Sequence, residues 1–319
     1  MKRLVCLLLF LPSLSFGHPG IGIVKDTKGN IYYSDLQQVW KISNGRRSIA
    51  VPGVHTHELY IDRHNNLYGE HVMMGNEAPD SFFHYLWILR PDGVLDTVTV
   101  TQPAYINIHY SLARDLNGNE YYTKRFIKNA STDRIYKRPP GGAEFVLAEG
   151  EFKGVSWLHP QRDESLLYVQ NNNVYRVSKE GKIRQIATNI ADEVPSFDFS
   201  KGNKTIWGAW EDAERNVYVA VFSDQTVRKI DSNGVVSDYY KSTGQWTPIH
   251  GVFDNQGKLW VMESSDKNEV RVVQQRGMNI VGATDRSPSL LYLVLCIAGI
   301  GGIILVYLFL RSRKFSSLA

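Results

Sequence analysis

Cysteine is nearly absent. The 319 residues hold two, Cys6 and Cys296, each inside an apolar terminal segment. The body between them has none, which excludes an intradomain disulfide and a thiol nucleophile. It does not fix the redox compartment, because a large β-rich core stands without cross-links. A basic stripe is lacking too. The formal charge of +4 comes from the ends, where Lys2, Arg3, Arg311, Arg313 and Lys314 lie; without those five, 31 basic residues face 32 acidic ones. A nucleic-acid partner is therefore not expected. The sequence contains no Gly-x-Ser-x-Gly, His-Glu-x-x-His or Walker pattern, so serine hydrolases, zincins and P-loop enzymes have no support. Nor does the body show an amphipathic helical period of any length.

What is present suffices for a large core, with 43% hydrophobic and 12% aromatic residues. The two ends read as targeting segments. Residues 1–17 run from Lys2-Arg3 through the apolar Leu4–Phe10 to small residues around Gly17, the pattern of a cleaved signal peptide. An uncleaved anchor is disfavoured by Pro12 and by the short apolar run. Leu290–Leu310 is 21 residues without a charge, long enough to cross a membrane as a helix. The basic tail 311–319 follows at once and predicts that flank in the cytoplasm. The expected organisation is signal peptide 1–17, exported body 18–284, linker 285–289, transmembrane helix 290–310 and tail 311–319.

The body is built on a repeat. Asp26-Thr-Lys-Gly-Asn-Ile-Tyr32 returns as Asp62–Tyr68, Asp115–Tyr121, Asp212–Tyr218 and Asp254–Trp260. Each copy predicts a tight turn between two strands: Asp accepts from turn amides, Gly or Asn takes the left-handed position, and an aromatic opens the next strand. A second marker, an alternating strand ending in glycine, falls in phase at Gly45, Gly93, Gly141, Gly181, Gly234 and Gly277, with steps of 48, 48, 40, 53 and 43 residues. Six units of 40–50 residues, each with about four short strands, predict an all-β, six-bladed β-propeller. The fourth unit lacks the Asp marker, the fifth is preceded by an extra segment near 191–204, and the second carries an excursion over Glu70–Tyr85. Closure is expected from packing between the first and last blades.

These markers resemble the NHL repeat, over about residues 18–284. The resemblance implies the propeller fold, and it is distantly similar to gluconolactonase-like propellers and to the peptide-amidating lyase. For function it implies little, since such propellers include binding modules, lactonases and a lyase.

Counting back from each turn Asp identifies the inner-strand residues that line the channel. His57, His109 and His250 lie five, six and four residues before their Asp. One reading makes these three the ligands of a divalent metal, zinc, copper or calcium, with Glu58 or Glu70 as carboxylate partner. The resemblance to the amidating lyase implies zinc held by channel histidines. The competing reading is a set of polar channel histidines bridged by water, because unequal offsets place some side chains on opposite strand faces unless a bulge intervenes. Trp157, Trp207, Glu58 and His159 are the candidates for contacting a protein, peptide or glycan at the channel mouth. Weaker sets are His71, Met73, Met74 and His84 for copper, His18 as a copper-binding amino terminus, and Glu58, Asn107 and Asp198 for calcium. The expected function is a membrane-anchored, extracytoplasmic binding propeller; the alternative is a metal-dependent lyase or hydrolase.

Overall fold

The Asp-marked stretch folds as a closed turn in every blade that carries it. Asp26 Oδ1 accepts the Asn30 backbone N–H at 2.8 Å, and its Oδ2 accepts the Asn30 side-chain amide at 2.6 Å. Asp62, Asp115 and Asp212 repeat both bonds with Asn66, Asn119 and Asn216. The aromatic two residues later bonds the same carboxylate: Tyr121 Oη donates to Asp115 at 2.7 Å, Tyr218 Oη to Asp212 at 2.9 Å, and Trp260 Nε1 to Asp254 at 2.9 Å. The third residue after each Asp is left-handed, with φ of +83° at Gly29 and +64° at Asn65. In the fifth blade this position is Arg215, φ +71°, rather than the expected Gly or Asn. A left-handed non-glycine residue costs about 1 kcal/mol, and Arg215 offsets some of it by meeting Asp163 of the fourth blade at 2.8 Å.

The computed structural model describes residues 22–74, 82–103, 112–123, 134–152, 158–170, 172–191, 206–267 and 269–275. Among these, every regular element is a β-strand, and the strands form six antiparallel sheets in chain order. Blade one is β1 (Ile23–Lys25), β2 (Ile31–Ser34), β3 (Val39–Ser43) and β4 (Arg46–Val51). Blade two is β5 (Leu59–Ile61), β6 (Leu67–Met74), β7 (Phe82–Leu89) and β8 (Leu95–Thr97), with β9 (Gln102–Pro103) also paired to β7. Blade three has β10 (Glu120–Tyr122), β11 (Arg134–Arg138) and β12 (Phe145–Glu149). Blade four has β13 (Leu158–Pro160), β14 (Leu166–Gln170), β15 (Asn173–Val177) and β16 (Ile183–Ala187). Blade five is β17 (Ile206–Glu211), β18 (Val217–Val221), β19 (Thr226–Ile230) and β20 (Val236–Lys241). Blade six shows β21 (Trp246–Phe253), β22 (Leu259–Ser265) and β23 (Val270–Gln274).

Alternation along each strand gives a blade two apolar faces, one for each neighbour. The buried side chains accordingly gather between successive blades. Val39, Val51 and Leu67 join blades one and two; Tyr121, Phe152 and Leu166 join three and four; Leu167, Val219 and Ile230 join four and five. The ring closes in the same way. Ile23, Ile31 and Tyr33 of blade one pack with Ile249, Trp260 and Met262 of blade six, and the Asn255 side chain donates to Thr27 O at 3.0 Å. Closure by first-to-last blade packing is thus visible in the described strands.

One boundary differs from expectation. The blade-two excursion is largely strand: β6 and β7 run eight residues each, in register from Leu67↔Leu89 to Met74↔Phe82. In blade four the described inner strand is Leu158–Pro160, with its turn closed by Gln161 N–H to Ser165 O at 2.8 Å; residues 154–157 of the expected strand lie outside the described residues. No helix among the described residues is long and apolar enough to cross a membrane. The expected signal peptide and the 290–310 helix lie outside them.

The carboxylate turns predict a specific pattern of loss. Asp115, buried, accepts four hydrogen bonds, so Asp115→Ala should cost about 3 kcal/mol or more by stranding buried donors. Asp231 closes an exposed outer turn with two backbone bonds, and Asp231→Ala should cost less than about 1 kcal/mol. Urea denaturation of the two variants measures this; equal losses would contradict it.

Candidate functional site

The inner strands surround a cavity of about 1030 Å³ to which all six blades contribute, through Ile23–Lys25, Glu58–Ile61, Leu112–Leu116, Leu158–Asp163, Ala209–Arg215 and His250–Asn255. Blades four, five and six bring three rings together on its wall. The His159 and His250 rings stack with centroids 5.3 Å apart and 29° between planes, and Trp210 lies against His250 at 5.3 Å. Two bulges make this possible. An extra residue enters β17 between Ile206 and Ala209, so Trp207 and Trp210, three apart, both turn toward blade six. A second bulge between Pro248 and His250 re-aims His250. Gly208 supplies the room: a Cβ there would stand 2.3 Å from His250 Cδ2 and 2.6 Å from Ile249 O.

Burial governs the chemistry of this wall. Desolvation, followed by the neighbouring imidazole of His250, drives His159 well below its usual range; desolvation likewise lowers His250 to about 4. Both rings are neutral near pH 7. Among the described residues Trp210 Nε1 and His250 Nδ1 are buried with no hydrogen-bond partner, which buried polar atoms rarely are; the Gly251 backbone beside the His250 ring opposes part of the fall in its pKa. Two charged groups of the lining are paired: Glu211 takes an ion pair from Arg176 and another from Arg215 at 3.3 Å, and Arg114 meets Glu120 at 2.8 Å. Glu58 lines the same cavity, and burial together with the charge of Glu70 pushes its carboxyl up to about 8.

A second polar cluster lies in blade two. His55 Nε2 and His57 Nε2 are 3.2 Å apart. His57 Nδ1 lies 3.5 Å from Glu70 Oε1, and His84 Nδ1 lies 3.7 Å from Glu70 Oε2. Burial alone would raise the Glu70 carboxyl; the hydrogen bonds and charge of His57 and His84 hold it at about 2 instead.

Among solved structures, an auxiliary nutrient binding protein from Bacteroides thetaiotaomicron is 11% identical over 80% of this chain and 68% of its own, with a TM-score of 0.52. The calcium-binding protein regucalcin from Agrobacterium tumefaciens is 15% identical over 79% and 85%, TM-score 0.50. A luciferin-regenerating enzyme is 18% identical over 83% and 94%, TM-score 0.50. The chain is a six-bladed β-propeller. At these identities the likeness is one of fold, and it agrees with the NHL-like repeat. No protein-family model matches the propeller sequence, and no curated protein matches it.

The propeller distributes the sequence-derived candidates as follows. Glu58 and His159 line the cavity. Trp207 does not: only 3% exposed, it packs in the core between blades five, six and one. Trp210, three residues on, is the cavity tryptophan. Of the three histidines read as metal ligands, His250 stacks on His159, while His57 contacts His55 and Glu70. His109, Trp157, His18, Asn107 and Asp198 lie outside the described residues. Among those described, no group of three or more His, Cys, Asp or Glu has metal-holding geometry. His71 and His84 fall on opposite faces of their hairpin, since His71 pairs with Tyr85 and Val72 with His84, which separates the proposed copper ligands.

The depressed His250 pKa has a consequence for stability. The unfolded imidazole takes up a proton near 6.5 and the folded one near 4, so the stability this group contributes is present above pH 6.5 and is lost as pH falls toward 4. His250→Phe should therefore lose less melting temperature between pH 7 and pH 4.5 than the parent. An identical acid limb in thermal scans would contradict this.

Proposed function

We propose that the chain is an exported, membrane-tethered binding propeller whose ligand enters the central cavity. One observation carries the reading: His159, Trp210 and His250, ring against ring and with both imidazoles neutral near pH 7, line a cavity of about 1030 Å³. That volume is of the size that holds small ligands. Aromatic faces beside neutral hydrogen-bonding groups suit a planar, uncharged and polar partner, such as a peptide amide or a sugar ring. A short peptide or glycan therefore fits better than a whole protein. The nutrient-binding propellers among the structural neighbours support binding as a use of the fold. The apolar stretch 290–310 with its basic tail supports tethering, with the propeller outside the cytoplasm.

Trp210→Phe keeps a ring in the stack and removes the Nε1 donor. A panel of short peptides and oligosaccharides, followed by intrinsic fluorescence, should yield a ligand whose affinity falls about tenfold in this variant, the worth of one hydrogen bond. Absence of any ligand in the panel, or binding indifferent to both Trp210→Phe and His159→Gln, would contradict the proposal.

A further inference from the structure

The residues just before the inner turns form a ring where the first strands end. Lys25, Ile61, Arg114, Pro160, Glu211 and Phe253 hold this position in blades one to six, and each lines the cavity. Beyond the ring the lining passes to exposed turn residues, Arg162 and Asn255 among them, so the cavity opens on the turn face. His159, Trp210 and His250 lie two to four residues earlier on their strands, deeper in the channel.

The charges of this rim are unevenly matched. In the ring, Arg114 meets Glu120 at 2.8 Å, and Glu211 takes Arg176 and, at 3.3 Å, Arg215. Arg215 also meets Asp163 at 2.8 Å, and Lys229 lies over the Tyr218 ring. Asp254 accepts the Gln256 and Lys258 backbone N–H groups and Trp260 Nε1, each at 2.9 Å. Among the described residues, neither the Lys25 ammonium nor the Arg162 guanidinium has an ion-pair or hydrogen-bond partner. Blade four stands opposite blade one in a ring of six, and the charge of Arg162 acts on Lys25 across it. Desolvation first, and then Arg162, lower the pKa of the half-buried Lys25 against the pull of Asp254 and Asp26. Two cations held near each other repel, and partial burial strips one of them of water. An anion seated between them relieves both. The planar guanidinium matches a carboxylate, and the ammonium adds a point charge. Glu214, exposed on the blade-five rim, opposes a phosphate dianion more than a singly charged carboxylate.

We propose that Lys25 and Arg162 clasp a carboxylate of the ligand at the cavity mouth, while the ligand's uncharged body lies against His159, Trp210 and His250. The clasp presupposes a ligand in the cavity, as proposed above, and narrows its class to peptides with a free carboxyl terminus or glycans that carry uronic acid.

The test uses the purified full-length chain and two pairs of probes: N-acetyltriglycine against its C-terminal amide, and a galacturonic acid trimer against a galactose trimer. Lysine acetylation under limiting reagent, read by mass spectrometry, reports on Lys25 in the unmutated chain, where folding of variants plays no part. One acid probe should slow acetylation of Lys25 severalfold more than its neutral twin, while Lys182, in an outer turn, reacts unchanged. Which pair does so separates a peptide source from a glycan source. The same acid should bind about tenfold more weakly to Lys25→Gln and to Arg162→Gln, and as in the parent to Lys182→Gln. Two results overturn the clasp alone: a neutral probe that binds as tightly as its acid and is weakened by Trp210→Phe, or an acid probe whose binding is indifferent to both Lys25→Gln and Arg162→Gln. Binding of neither acid nor neutral probes overturns the clasp together with the cavity reading.

Discussion

A single carboxylate at the head of five of the six inner hairpins constrains the rest of the molecule. Bonded to the turn amide, to the Asn side chain and to the aromatic of the next strand, it fixes where strand one stops and strand two begins. A charged acceptor with several donors is stronger than neutral bonds and costly to break when buried. The turns also bond one another around the ring. Thr27 N–H donates to Asn65 Oδ1 at 2.8 Å between blades one and two, Tyr60 Oη donates to Asp115 O at 3.2 Å between two and three, and Asn255 donates to Thr27 O between six and one. The inner strands therefore enter the channel at related heights, and residues a few places before each Asp meet there.

That constraint explains what was legible in the sequence. A fixed turn chemistry repeated in phase with a glycine-ended strand is enough to count blades, to place the inner strands and to bring Glu58, His159 and His250 to the channel. Neighbour relations were less accessible. Alternation alone separates Trp207 from Trp210, and only the bulge in β17 puts both on one face, with the core taking the first and the cavity the second. The contact of His57 with Glu70 lies where the sequence suggested an excursion over Glu70–Tyr85 and β6 instead continues as strand to Met74. His159 and His250 lie about ninety residues apart, and their stacking follows from the curvature of three blades rather than from any local pattern.

Electrostatics divides the interior in two. Between blades, charges are matched: Lys137 with Glu164 at 2.5 Å and Arg176 with Glu211; within blade six Arg271 meets the buried Glu263 across the strand pair at 2.5 Å. Such pairs are costly to break singly, and they favour one register of blade against blade. The wall near His159, Trp210 and His250 is left with neutral groups and ring faces, whereas blade two concentrates a carboxylate among imidazoles. Bulges and glycines at Gly208 and Gly251 serve the former by clearing space beside His250 and Trp210.

Amide hydrogen exchange measures the central constraint directly. The N–H groups of Asn30, Asn66, Asn119 and Asn216 each bond an inner-turn carboxylate four residues back; in outer turns Val235 makes the same local bond to Asp231, and Val94 bonds Asp92 two residues back. If the inner turns are fastened into the cooperative core, the four asparagine amides exchange only through global opening and share one high free energy, while Val94 and Val235 exchange far faster. Equal, low protection at inner and outer turns would contradict that constraint.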